Sequence, residues 1–425
     1  METLYAYMTL SVTVGLCVSR PHVFVGSKKL HIDIGVAAVL GVALMLIGGL
    51  LEPADLMTSF KIQWRPLLAL TSIMVMTGVV KETGAFERLA LRIDSYARET
   101  STSRAFNMIF VASVVTPSLL NNDAAILLLT PVVIAMARRL YPGNDRILEA
   151  FVFAVFLAPG VAPFVISNPM NMIVAEYAGI GFNDYTAIMG PISAAGALMT
   201  FGILRWHYRK VLHAEAVPSL PTEIPPAHRA ERPAFIFLMT VFLAYPVMAA
   251  LDVPIWSVAL AGAIGCTIIS QIYSVASPRK IAGHVSLDIL FFLWGVFLVV
   301  AGLREVGVID NLAALYSSYD ANSGAQLGVI GVVSALGSAV VDNHPMSILN
   351  MLAIGHEGAT RPLLAALVGG DIGPRLLPIG SLAGLLWMDL LRRSGIEISI
   401  FKFVRLGTIV LIPTLTLSLL LLSLW

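Results

Sequence analysis

Phe106-Asn107-Met108-Ile109-Phe110-Val111-Ala112-Ser113-Val114-Val115-Thr116-Pro117-Ser118-Leu119-Leu120 runs straight into Asn121-Asn122-Asp123, and Ala124-Ala125-Ile126-Leu127-Leu128-Leu129-Thr130-Pro131 follows. Two amides and a carboxylate thus stand inside an apolar run that ends only at Arg138-Arg139. At hydrocarbon depth such groups are costly unless they line a cavity or hold a ligand. A second interruption of the same kind, Asp342-Asn343-His344-Pro345, lies in the other half of the chain. The two breaks are expected to face each other and to form one binding site.

Composition sets the class. The chain of 425 residues is 57% hydrophobic and 12% charged, with a mean hydropathy of +0.85. A soluble protein carries about twice that charged fraction. Repeated apolar segments near spanning length make this a polytopic membrane protein, with the lipid bilayer as its first partner. No pattern of short alternating strands marks a barrel, so the expected class is all-α. A net charge of +1 gives no reason to expect nucleic acid. Cys17 and Cys266 both sit in apolar segments, which excludes a thiolate metal site of three or four cysteines; no metal and no cofactor is expected. There is no nucleotide-binding loop, no His-Glu-x-x-His and no Gly-x-Ser-x-Gly, so a transporter is expected rather than an enzyme. The segment 3–18 lacks a basic start and an Ala-x-Ala-like end, and is expected to be a membrane helix rather than a signal peptide.

Candidate spans run over about 3–19, 32–51 and 66–80, then an amphipathic stretch from Lys81 to Arg104, then the two arms around Asn121–Asp123. A span at about 148–178 is interrupted by Ser167-Asn168-Pro169-Met170-Asn171, and another follows at about 185–205. Trp206 to Arg232 is hydrophilic and rich in proline and charge, as a linker would be. The second half repeats the order: spans at about 233–251, 255–274 and 286–303, an amphipathic stretch from Arg304 to Gln326, arms around Asp342–Pro345, an interrupted span at about 361–391 and a last helix at about 400–424. Lys81-Glu82-Thr83-Gly84-Ala85-Phe86-Glu87-Arg88-Leu89-Ala90 aligns with Arg304-Glu305-Val306-Gly307-Val308-Ile309-Asp310-Asn311-Leu312-Ala313. This is an internal repeat. The expected units are an extra N-terminal helix and loop at 1–31, a first repeat at 32–205, the linker at 206–232 and a second repeat at 233–425.

Lysine and arginine placement then sets topology. If each polar-tipped pair enters and leaves on one side, segments 20–31, 81–104, 138–146, 205–232, 279–280 and 392–405 share a face, carrying 22 of the 27 Lys and Arg residues. That face, linker included, is expected to be cytoplasmic, with both termini outside. Each half then makes five crossings, an odd number, so the repeats are inverted: about ten spanning helices, two re-entrant hairpins, and helices broken at the midplane. Inverted repeats with broken helices are the architecture of secondary transporters. Half-helix ends expose backbone N–H groups and carbonyls, which bind a polar solute without burying a full charge. Asparagine adds both donor and acceptor, and proline removes a donor that would resist unwinding.

Several stretches resemble the arsenite/antimonite efflux permeases, the arsenical pump membrane protein family within the larger ion transporter superfamily. They are Asn122-Asp123-Ala124-Ala125 through Pro131, Ser167-Asn168 with Asn171, Gly179-Ile180-Gly181-Phe182, and Asp371-Ile372-Gly373-Pro374 followed by Leu377-Pro378-Ile379-Gly380-Ser381-Leu382-Ala383-Gly384-Leu385-Leu386-Trp387. The resemblance covers nearly all the chain after about residue 35. It implies export of arsenite or antimonite across the inner membrane in exchange for protons, in some members with a soluble ATPase partner. The second hairpin departs from the family's usual Asn-Asn-apolar-Pro by reading Asp342-Asn343-His344-Pro345. A sodium/proton exchanger or a dicarboxylate carrier of the same superfamily remains the alternative.

For substrate the expected ligands are Asn121, Asn122, Ser167, Asn168, Asn171, Asn343, Gly380 and Ser381. For the proton they are Asp123, Asp371, His344 and Asp342. Each has a plainer reading. Asp123, the asparagines and the serines could cap helix ends. Asp371 could pair with Arg375. His344, which ordinarily titrates near neutral pH, could bond to backbone at an outer mouth.

Overall fold

Two helices that break partway, each flanked by a hairpin closed at its base, position everything else in this chain. The computed structural model describes residues 2–25, 28–120, 122–216, 226–355 and 359–425, with the side chains of 22–31, 90, 123 and 124 also outside the description. Asn121 and the Asp123 carboxylate therefore lie outside the described residues.

The first half comprises α1 (Glu2–Ser19), the short antiparallel hairpin β1 (His22–Val25) and β2 (Lys28–His31), α2 (Ile34–Ile47), α3 (Pro53–Glu82), α4 (Ala85–Glu99), α5 (Thr102–Leu119), α6 (Asn122–Leu140), α7 (Asp145–Leu157), α8 (Pro169–Ala178) and α9 (Phe182–His207). The second comprises α10 (Glu231–Ala249), α11 (Ile255–Ile272), the short α12 (Pro278–Ala282), α13 (Leu287–Gly302), α14 (Val308–Ser317), α15 (Gly324–Val341), α16 (Asn343–Ile354), α17 (Thr360–Ile372), α18 (Leu382–Arg393) and α19 (Ile400–Ser423). The all-α class holds, with the β-hairpin only joining α1 to α2.

The element order repeats, and so do local details. Gly84 and Gly307, aligned in the sequence repeat, both take the left-handed conformation (φ 76° and 75°) as N-caps of α4 and α14, where a side chain would be strained. Ser101 caps α5 and Ser323 caps α15, each accepting from the backbone N–H three residues on. Both hairpins close at the base. Thr102 Oγ1 donates to the Tyr141 hydroxyl at 2.9 Å, joining the start of α5 to the end of α6. In the second half Tyr316 donates to Asn350 Oδ1 of α16 at 2.6 Å, and Gln326 of α15 donates to the Tyr316 carbonyl at 3.0 Å.

Packing exchanges the halves pairwise. Helix α1 lies on α2 as α10 lies on α11; α2 packs along α13 and α3 along α11; α6 meets α18 and α8 meets α16; α9 pairs with its own counterpart α19. Helices α7 and α17 run through the centre: every residue from Ile147 to Leu157 and from Pro362 to Gly370 is buried. A helix apolar on all sides is a core helix, not an amphipathic surface one. Trp387 of α18 and Phe156 of α7 stack with centroids 4.9 Å apart, and Phe403 of α19 closes the cluster.

Five of the six basic segments grouped by sequence touch one another through described residues, with 20–31 the exception among these contacts. Glu82 pairs with Lys280 at 2.5 Å and with His284 at 2.8 Å, and Arg88 with Glu231 at 2.9 Å. Arg139 pairs with Asp94, Arg138 donates to the Ser394 carbonyl, and Lys402 pairs with Glu149 at 2.7 Å. Segments 81–104, 138–146, 279–280 and 392–405, and Glu231 at the end of the 205–232 segment, are thereby linked.

Candidate functional site

The polar interruptions fall where helices end. Helix α5 stops at Leu119 and α6 begins at Asn122; α15 stops at Val341 and α16 begins at Asn343. Asp342 makes the second turn at φ +81°, an unusual value for a residue with a side chain, and accepts from the His344 N–H at 2.9 Å. Its Oδ1 also contacts His344 Nδ1 at 2.7 Å.

The first broken span opens earlier than its polar letters suggest. Helix α7 ends at Leu157, the chain runs irregularly through Pro159, Gly160 and Pro163, and a single 3-10 turn, Val165–Ser167, leads into α8. Two prolines remove two donors and the glycine removes a side chain, so the helix cannot continue. Asn168 is the extended N-cap of α8, accepting from the Met170 N–H at 3.1 Å, while Asn171 falls inside the helix. The second span breaks at Ile372, passes through 3-10 turns at Gly373–Arg375 and Pro378–Gly380, and resumes with Ser381 as the extended N-cap of α18, accepting from the Gly384 N–H at 3.1 Å. Asn168 and Ser381 hold corresponding positions, and both cap.

Around the first break lies a small cleft. Its lining includes Asn122 at the hairpin tip, Ser118, Ser167, Ser193 and the residues from Ala158 to Pro163. The Ser167 hydroxyl donates to the Ser118 carbonyl at 2.8 Å, tying α5 to the break. Among the described residues no charged side chain lines it. From the second half Asp371 reaches behind this wall: one carboxylate oxygen accepts from the Ala162 N–H at 2.9 Å and the other from Asn168 Nδ2 at 2.9 Å. Asn171 donates to the Tyr185 hydroxyl at 2.7 Å, and Tyr185 donates on to the Ala162 carbonyl at 3.1 Å. The oxygen of Asn171 is buried without a partner.

Asp371 does not pair with Arg375, the alternative the sequence left open. Arg375 donates instead to the carbonyls of Leu157 and Pro159, at 2.7 and 2.8 Å, and to Thr414 at 3.1 Å. An i, i+4 pair needs α-helical geometry, and the 3-10 turn at Gly373–Arg375 points the guanidinium elsewhere.

Around the second break the chain packs tightly on α15. Gly369, Gly373 and Gly380 lie against the backbone of Gly331, Ala335 and Ser338 in α15, closer than any Cβ would allow. Asn343 is 7% exposed with its side-chain oxygen unpaired, and His344 is buried edge-on to Phe292, with centroids 5.3 Å apart. Asp342 and Pro345 line an apolar cavity together with Leu382 and Leu385 of α18, Thr13 and Cys17 of α1 and Ile34 of α2. So Asn122, Ser167, Asn168, Asn171 and Asp371 gather at the first break, whereas Asn343, Gly380 and Ser381 belong to the second. Sequence reading passed over Ser118, Ser193, Tyr185 and the 158–163 backbone. The signal for the last was Pro159-Gly160 with Pro163.

Comparison with known proteins agrees with this architecture. Residues 15–425 match the family described as ArsB, arsenical pump membrane protein. The arsenical pump membrane protein of Escherichia coli (strain K12) is 28% identical over 399 residues, covering 91% of this chain and 92% of that one. An uncharacterized transporter of Mycobacterium tuberculosis (strain H37Rv) is 27% identical over 397 residues, covering 90% and 91%. Among solved structures the YdaH transporter of Alcanivorax borkumensis superposes with a TM-score of 0.57 at 16% identity, covering 100% of this chain and 98% of that one. MtrF of Neisseria gonorrhoeae, from a class of antimetabolite efflux pumps, gives 0.55 at 11%, covering 100% and 95%. These two speak for the fold alone. With residues 15–425 matched by one family and its helices arranged as in membrane transporters, this chain belongs to the arsenical pump membrane protein family.

Proposed function

We propose that the protein is a gradient-driven carrier that exports arsenite or antimonite from the cytoplasm in exchange for protons, by alternating access. The observation that carries this reading is the cleft between Asn122 and the unwound 158–168 segment. It offers serine hydroxyls and an amide beside an unwound segment, and among the described residues its lining is uncharged. Arsenite near neutral pH is chiefly the neutral trihydroxide, with three O–H donors and several lone pairs. Hydroxyl and amide groups match it without an arginine cluster. With Cys17 and Cys266 buried among other helices, capture by thiolate is no part of this reading, which suits a carrier that must let its load go.

The proton is assigned to Asp371, together with Asp123 at the hairpin tip. Asp371 holds the back of the cleft through Ala162 and Asn168, so protonation weakens two hydrogen bonds that fix the wall. His344 and Asp342 bond to each other at the second tip and are assigned to gating rather than to the cleft. The halves are read as inverted-topology repeats whose first unit includes α1, since α1 sits on α2 as α10 sits on α11. The basic face, with the 206–232 linker, is assigned to the cytoplasm, and both termini to the outside. A separate ATPase subunit is not required by this reading.

The test is arsenite uptake into everted membrane vesicles, with and without an imposed pH gradient. Accumulation that vanishes when the gradient is collapsed is the expected result. Proton release on adding sodium, with no arsenite movement, would overturn the cargo and point to a cation exchanger.

A further inference from the structure

Arg375 is a buried cation on a helix end that belongs to the other half of the molecule. It is 3% exposed. Its Nη2 donates to the carbonyls of Leu157 and Pro159 at 2.7 and 2.8 Å, and its Nη1 to Thr414 of α19 at 3.1 Å. Leu157 is the last residue of α7, so one acceptor is among the carbonyls that a helix end leaves without an intrahelical partner, and the other follows in the unwound stretch. The end of α7 also carries the partial negative charge of the helix dipole. With 13 residues, α7 brings this end about 20 Å in from its start, near the depth of a bilayer midplane. Gly160 keeps room for the guanidinium: a Cβ there would stand 2.8 Å from Nη2.

Carbonyls at the C-terminal end of a broken helix are the groups that coordinate a coupling cation in gradient-driven carriers. Here a guanidinium already occupies them. Arginine stays protonated under any physiological condition, so this charge neither leaves nor is neutralised in a transport cycle. We propose that Arg375 is a tethered cation that permanently fills the carbonyl site at the end of α7, making the carrier independent of sodium and other alkali cations. The inference rests on the reading of the chain as a gradient-driven carrier, and it leaves coupling to a carboxylate. It also predicts what removal uncovers: a vacant carbonyl site facing Thr414, sized for a small cation.

The experiment compares wild type with Arg375→Ala and Arg375→Lys, purified and reconstituted in sodium, potassium, guanidinium or choline chloride at equal ionic strength. Wild-type flux and melting temperature are expected to be the same in sodium and in choline; a sodium requirement overturns the proposal. Arg375→Ala is expected to lose roughly tenfold or more of its flux, in keeping with removal of a charged donor. Its melting temperature should rise in guanidinium and in sodium relative to choline. A folded Arg375→Ala protein with no such selectivity overturns the proposal. Should that variant not fold, Arg375→Lys decides, because it keeps the charge: flux without sodium supports the tethered cation, and an inactive or sodium-dependent lysine variant refutes it. The melting readout needs no cargo, so failure of the arsenical assignment leaves a separate trace, a normal cation response with no arsenite flux.

Discussion

At the scale of single residues, Asn168 does two jobs that can be separated. Its oxygen caps α8 and its nitrogen donates to Asp371. Asn168→Ser retains a capping oxygen and loses the amide N–H that reaches Asp371, whereas Asn168→Ala loses both. Loss of the cap should lower stability by about 0.5–2 kcal/mol. The serine variant is therefore expected to melt close to wild type yet show altered dependence on the pH gradient, and the alanine variant to show both defects. Melting curves alongside vesicle transport check this; a serine variant with wild-type coupling would detach Asp371 from the cleft. Asp371→Asn goes further, since an amide of similar shape cannot carry the proton. It should abolish gradient-driven accumulation while leaving arsenite–arsenite exchange. Accumulation at the wild-type level would remove Asp371 from the coupling role. The same comparison on Asp123→Asn apportions the proton between the two carboxylates.

At the scale of elements, the two hairpins were legible because polar residues inside apolar sequence have nowhere to hide. Asn122 and Asp342 mark the helix boundaries to within a residue. The first broken helix was less legible. Its letters drew attention to Ser167–Asn171, yet α7 ends ten residues earlier, where Pro159, Gly160 and Pro163 interrupt by lacking donors and a side chain rather than by being polar. Ser118 was silent for another reason: its hydroxyl donates to the Val114 carbonyl at 2.9 Å, as a serine in an ordinary buried helix would. Arg375 could not be placed from spacing, because the two carbonyls it donates to are more than two hundred residues away. The glycines of α17 carry the remaining asymmetry. Gly369 and Gly373 let the end of α17 touch α15 backbone to backbone, whereas Phe151 of α7 meets Phe106 of α5 through their rings, with centroids 6.3 Å apart. Gly373→Ala would drive a Cβ into the Ala335 carbonyl. It should destabilise by about 1–3 kcal/mol, the range for overpacking. Gly202→Ala, where nothing lies within 4 Å of the added carbon, should be neutral or gain up to about 1 kcal/mol. Equal melting temperatures for the two variants would mean that the α15–α17 contact is not what closes the second half.

At the scale of the whole molecule, the exchange of partners between halves is what a two-fold axis relating the repeats would produce. A carrier built this way has two equivalent breaks that cannot both be open alike. In this structure the first borders a cleft at Asn122, while the second packs on α15 through glycines and has an apolar cavity between its hairpin tip and Leu382 and Leu385 of α18. If the repeats are inverted, the axis lies in the membrane plane, and corresponding residues must face opposite compartments. Asp145 and Thr360 open the corresponding helices α7 and α17, and both are exposed. Asp145→Cys and Thr360→Cys, each made after Cys17 and Cys266 are replaced by alanine, can be offered a membrane-impermeant thiol reagent in intact cells. The cysteine at 360 should be labelled at once and the one at 145 only after the membrane is opened, because Arg138, Arg139 and Arg146 place the latter on the basic face. Labelling of both from the same side would make the axis perpendicular to the membrane. The two breaks would then open to the same compartment, and alternating access would have to come from something other than the exchange of one repeat for the other.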